Sequence, residues 1–187
     1  MEGARPVIAT IRTTATTVLL LLLAVGTARA QDIDISAFFG TWEGNAISES
    51  EISVYFRLTN RDIGVTVKPS GDGFTLGWNT VQRQRGDPDN PKEVLKQTTL
   101  EFREQRPGVW QAAGNRDPLT SGEPYAWAFV ERQTLVVNLL QIRPGGEPEL
   151  QVYRRTLTGT FLELEFTRIV DGRQARTAKG RLIKVAN

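Results

Sequence analysis

The chain has 187 residues, 23 Lys and Arg against 21 Asp and Glu, a formal charge of +2, and neither Cys nor His. Without thiolate or imidazole it lacks the usual ligands of zinc, copper, haem and iron–sulfur centres, and every nucleophile–base pair built on imidazole. No metal site and no cofactor are expected, and with disulfides excluded, stability has to come from the core of what the length suggests is one domain.

The first thirty residues predict export. Arg5 and Arg12 form a short basic leader, Val18 to Val25 is an unbroken apolar run, and Ala28-Arg29-Ala30 offers the small residues a signal peptidase needs. The apolar run is well short of the roughly 20 residues that cross a bilayer. No Cys follows it for acylation, and no Arg pair precedes it. The expected mature chain starts at Gln31, has no membrane span and is periplasmic or secreted. Residues 1–30 hold Arg5, Arg12, Arg29 and Glu2, so the remainder carries 20 basic and 20 acidic side chains and no net charge. That balance, with an exported location, argues against nucleic acid as a partner.

From Phe38 onward the pattern is one of strands and tight turns, with no amphipathic helix of useful length. A short helical turn is expected at Ile33 to Phe38, then a first strand opening at Phe39. Ile52, Val54, Phe56 and Leu58 alternate with polar residues, as do Ile63, Val65 and Val67, which predicts two half-buried strands. Ser70-Gly71-Asp72-Gly73 turns the chain into Phe74 to Val81. Gln97 to Glu104, Pro107-Gly108 and Val109 to Ala113 repeat the motif. Tyr125 to Val130 runs into Thr134 to Ile142, and Pro144-Gly145-Gly146 reverses it. Leu150 to Leu157 and Thr160 to Val170 flank Thr158-Gly159, and Asp171-Gly172, the strongest hairpin signal, leads to a last strand from Arg173 to Val185. The expected fold is all-β, a single antiparallel up-and-down barrel of about 8–10 strands, because closure removes exposed edges from a meander. Two connections, Arg83 to Lys92 and Gly114 to Pro124, are longer than the rest and are either recognition loops or solvated surface loops.

Phe39-Gly40-Thr41-Trp42-Glu43-Gly44, opening the first strand after a helical turn, resembles the Gly-x-Trp start of lipocalins and the wider calycin superfamily. The resemblance implies that Trp42, two residues after Gly40, closes one end of the barrel and that an Arg or Lys from the last strand lies across it. Arg181 is the expected residue.

The interior then decides function. Paired carboxylates could serve catalysis without His or Cys, and Glu163 and Glu165 are two apart on one strand face. That face opposes Leu162, Leu164 and Phe166, so these acids are expected in solvent or beside cross-strand Arg residues, and no enzyme is predicted. The ligand-binding candidates are the aromatic and polar strand residues Tyr55, Arg57, Trp78, Trp110, Trp127, Tyr153 and Arg154. Arg154 and Arg155 cannot both face inward, since strand neighbours point to opposite sides. An inward Arg near a Tyr could hold a carboxylate or phosphate; the competing reading pairs it with Glu163 or Glu165. Two functions stay open: binding of a small apolar or amphipathic molecule in the barrel, or a filled barrel that acts through its loops as a protein-binding inhibitor or envelope structural component, with an envelope protein as partner. An interior of roughly 300 Å³ or more marks the first.

Overall fold

The computed structural model describes residues 32–51, 58–84 and 92–187, with the side chains of 82–84 and 92–94 left aside. The expected strand over Ile52 to Phe56 and most of the Arg83 to Lys92 connection lie outside the described residues.

Ten antiparallel strands form one closed barrel. They are β1 (Gly40–Ser50), β2 (Leu58–Ser70), β3 (Gly73–Gln84), β4 (Lys92–Arg106), β5 (Val109–Ala112), β6 (Tyr125–Glu131), β7 (Thr134–Ile142), β8 (Pro148–Thr158), β9 (Phe161–Val170) and β10 (Arg173–Ala186). Each strand pairs with its neighbour in sequence, and β1 pairs with β10 to close the ring, so no edge remains. The turns lie where Gly and Asp predict them. Asp171 and Gly172 have φ of 49° and 72°, the two positive values that a two-residue hairpin needs to match strand twist. Glycine serves a different purpose at Gly73, where a Cβ would collide with the Phe102 carbonyl across the β3–β4 pair.

Leu58 departs from the expected pattern. It opens β2 two-thirds exposed, whereas Ile63, Val65 and Val67 are buried. The inward residues of β2 are the odd-numbered ones, and a residue five positions before Ile63 must face out. The Gly114 to Pro124 connection is not a free loop. It carries a four-residue helix, α1 (Pro118–Ser121), capped by the Asp117 side chain, and Asn115 bonds both backbone groups of Ala126. Its helix contacts β7, and Gln141 of β7 donates to the Gly122 carbonyl at 3.4 Å; Val136 and Asn138 of β7 are buried although they face away from the interior.

The barrel interior divides into two parts. One end is packed solid: Phe74 stacks on Phe102 at 5.0 Å, Trp110 meets Phe74 edge-on at 5.5 Å, and Val65, Val67, Leu135, Leu162 and Leu182 fill the space between them. A 3-10 turn at Ile35–Phe38 seals this end, driving a fully buried Phe38 into the barrel. Trp42 beneath it donates its indole N–H to the Phe38 carbonyl at 3.0 Å. The chain before the turn docks on the β6–β7 hairpin, where Ile33 donates to the Arg132 carbonyl and the Asp32 carboxylate accepts from the Arg132 amide.

The Gly40-Thr41-Trp42 segment therefore sits at the closed end, as the calycin resemblance implies, but the cation over Trp42 is Lys184, 5.5 Å from the ring. Arg181 faces outward, where its guanidinium pairs with Glu163 at 2.9 Å and lies over Phe161. Strand parity is the reason. Ala178, Gly180 and Leu182 oppose the inward residues Ser48, Ala46 and Gly44 of β1, which puts Lys184 opposite Trp42 and Arg181 on the other face.

Candidate ligand-binding site

The opposite half of the barrel is open. It holds a cavity of about 380 Å³ whose walls include Ile63, Trp78, Leu164 and Phe166, and whose polar lining is strongly basic: Arg61, Lys96, Arg155, Arg168 and Arg176 against the single acid Glu149. The volume lies at the lower end of the range for small-molecule sites.

Arg155 is the deepest of these groups, with no solvent exposure. None of its three guanidinium nitrogens has a hydrogen-bond partner. Its charge rests between two rings, 5.4 Å from the centre of Trp78 and 5.3 Å from that of Tyr153. Cation–π attraction offsets part of the desolvation cost but satisfies none of the five N–H donors. Burial accordingly pushes the Arg155 pKa down to about 10. Tyr153 packs on Trp78 and Phe166, and burial raises its hydroxyl above the usual range, leaving it a neutral donor.

A polar chain ties Tyr153 to the mouth. Its hydroxyl donates to Gln151 at 2.9 Å, and the Gln151 amide donates to Glu149 at 2.8 Å. Glu149 receives both arms of the Arg168 fork, at 2.8 and 2.7 Å. Those bonds hold the Glu149 carboxyl below the usual carboxylate range despite its burial. Such a group contributes stability that is complete above the unfolded carboxylate pKa and is lost as pH falls through the lower folded value. Glu149→Gln should lower stability at neutral pH by about 1–3 kcal/mol, since one member of a part-buried pair is left alone. Denaturant midpoints of parent and variant should converge as the pH is taken down towards 3. A constant difference would show that the carboxylate charge is not what stabilises the chain.

Of the candidates read from the sequence, Trp78 and Tyr153 line the cavity. Tyr55 and Arg57 lie outside the described residues. Trp110 belongs to the packed end, and Trp127 is opposite Asn138 on the outer face, near Tyr125. Arg154 also faces out, paired with Glu131 at 2.9 Å, and the inward residue is Arg155. The expected cross-strand pairing with Glu163 or Glu165 forms for neither, because those acids are taken by Arg181 and Lys179.

One signal could have found Arg155. A two-residue turn at Gly159-Thr160 pairs Leu157 with Leu162, and therefore Arg155 with Leu164 and Tyr153 with Phe166. The apolar face of β9 thus dictates that Tyr153 and Arg155 point inward. Alternation within β8 alone gives the wrong phase, because Leu150 and Val152 are its apolar residues.

A sealed apolar end, a basic cavity at the other and ten antiparallel strands define a closed up-and-down β-barrel. Fourteen solved chains match it in structure comparison. One is a protein of unknown function from the DUF3598 family of Nostoc punctiforme, with a TM-score of 0.56 at 13% identity over 86% of this chain. This chain spans 53% of that protein's length. Another is the S-type phycobiliprotein lyase CpeS of Guillardia theta, with a TM-score of 0.51 at 8% identity, covering 79% of this chain and 88% of the lyase. At these identities the likeness is one of fold. No family model matches the sequence, and no curated protein is similar to it. Among the described residues no group of three or more His, Cys, Asp or Glu side chains could hold a metal ion.

Proposed function

We propose that the protein is an exported binding protein that holds a small anionic amphipathic molecule in its barrel, with the anionic group on Arg155 and the apolar body against Trp78, Tyr153 and Phe166. The observation that carries this reading is the fully buried, unpartnered guanidinium at the floor of an open cavity. A buried cation without a hydrogen-bonding anion is costly, and a ligand carboxylate, sulfate or phosphate answers both needs through charge-assisted, bidentate bonds. Export rests on the basic leader, the apolar run and Ala28-Arg29-Ala30. No group in the cavity calls for catalysis: its one carboxylate is committed to Arg168, and its phenol is held as a donor.

The test uses displacement of anilinonaphthalenesulfonate fluorescence from the purified protein. Decanoate should displace the dye at least tenfold more effectively than decanol, which has the same chain and no charge, because a hydrogen bond to a charged group contributes about 1.5–3 kcal/mol. Equal displacement by the two, or none by either, overturns the reading.

A further inference from the structure

The cavity has a second cationic pole, unneutralised among the described residues. Among the described residues no carboxylate lies within ion-pair distance of Arg61 or Arg176, and Arg61 reaches only the Thr59 hydroxyl, at 3.4 Å. Arg61 and Arg176 line the same cavity, and burial, then the charge of Arg176, lower the Arg61 pKa. The one acid of the cavity does not relieve them, because both its oxygens serve Arg168. Ser50, opposite Arg176 in the β1–β10 register, adds a buried hydroxyl with no partner.

The two poles are separated along the barrel. Arg155 pairs with Leu164, and Leu164 with Gly180. Arg176 lies four residues from Gly180 towards the mouth, and Arg61 pairs with Gln82, four residues towards the mouth from the Trp78 that Arg155 touches, about 13 Å along the strand in each case. Between the poles the walls are Trp78, Tyr153, Phe166 and Ile63. A monoanion on Arg155 would leave Arg61 and Arg176, two cations of one cavity, without a counter-charge among the described residues.

We propose that the natural ligand is an elongated dianion with an apolar or aromatic middle, its inner anionic group on Arg155 and its outer one on the Arg61–Arg176 pair. This rests on the reading of the barrel as an anion-holding one and adds the ligand's second charge and where it binds. Cations and zwitterions with an outer amine are rejected by the same pair.

The experiment compares decanedioate with decanoate by dye displacement, in the parent protein, in Arg61→Gln/Arg176→Gln and in Arg176→Lys, with thermal melting by circular dichroism to establish that each is folded. The parent should bind decanedioate at least tenfold more tightly than decanoate. That ratio should collapse towards one in the double glutamine variant and persist in Arg176→Lys, which keeps the charge. A parent that binds both ligands equally well overturns the dianion proposal while leaving the anion-holding function intact. A preference for decanedioate that survives in the double glutamine variant overturns the assignment to Arg61 and Arg176. Failure of both ligands to bind overturns the function itself. If the double variant does not fold, the Arg176→Glu single variant replaces it, and decanedioate should then lose its advantage.

Discussion

Arg155→Met should weaken decanoate binding at least tenfold and at the same time stabilise the unliganded protein by about 1–4 kcal/mol. The two effects have one cause. In the free protein a guanidinium with no exposure and no hydrogen-bond partner is held between Trp78 and Tyr153, and the rings do not replace the water its N–H groups have lost. Met fills a similar volume without the charge. The cost disappears, and so does the group that would meet an anion. A pH series separates this account from a packing effect. Because the folded pKa of Arg155 is lowered to about 10, the folded chain binds fewer protons than the unfolded one above that value. The parent's deficit is fully present below pH 10 and is relieved as pH rises through it, while the variant shows no such change. Decanoate affinity of the parent should fall over the same interval. A variant that binds decanoate like the parent, or that is less stable than the parent throughout, removes Arg155 from the proposed role.

Trp42→Ala should destabilise the barrel by about 3–5 kcal/mol, the range for truncating a buried large aromatic side chain. Trp42 is almost wholly buried, donates to the Phe38 carbonyl and carries Lys184 over its ring. Its removal leaves a cavity beneath the 3-10 turn and frees the lid that Phe38 forms. Lys184→Ala should lower stability by about 0.5–1 kcal/mol, as befits a cation–π contact at an exposed site. Arg181→Ala should have no measurable effect, because its ion pair with Glu163 is exposed on the outer face. Chemical denaturation of the three variants checks the order. Equal midpoints for Lys184→Ala and Arg181→Ala would mean that the cation over Trp42 contributes nothing to the seal.

The up-and-down barrel was legible in the turns. Ser70-Gly71-Asp72-Gly73, Pro107-Gly108 and Asp171-Gly172 each mark a reversal seen in the barrel, since positive φ and a preset proline φ are local requirements that a residue type meets or does not. Thr158-Gly159 places one a residue early, the turn being Gly159-Thr160. Gly40 and Trp42 were legible for the same local reason, as a short motif at the start of a strand. The site was legible only in part. Trp78 and Tyr153 line the cavity, but Trp110 and Trp127 do not, because an aromatic residue in a strand fits the packed end, the outer face under a covering loop or the cavity wall equally well. Alternation says only that Arg154 and Arg155 face opposite ways; the apolar residues of β8, Leu150 and Val152, share the phase of Arg154, yet Arg155 is the inward one. Where the interior is polar, the hydrophobic rule for strand phase inverts, and the partner strand has to set it.

By itself, the sequence determined what needs only the chain: an all-β meander, the places where it turns, the absence of thiol and imidazole chemistry, and a charge balance that holds once the basic leader is set apart. The tertiary structure alone decided which of two adjacent arginines is inside, which last-strand cation covers Trp42, and that five basic groups share one cavity with a single acid. These depend on register between strands as distant in sequence as β1 and β10, and a shift of one residue sends every side chain to the opposite face.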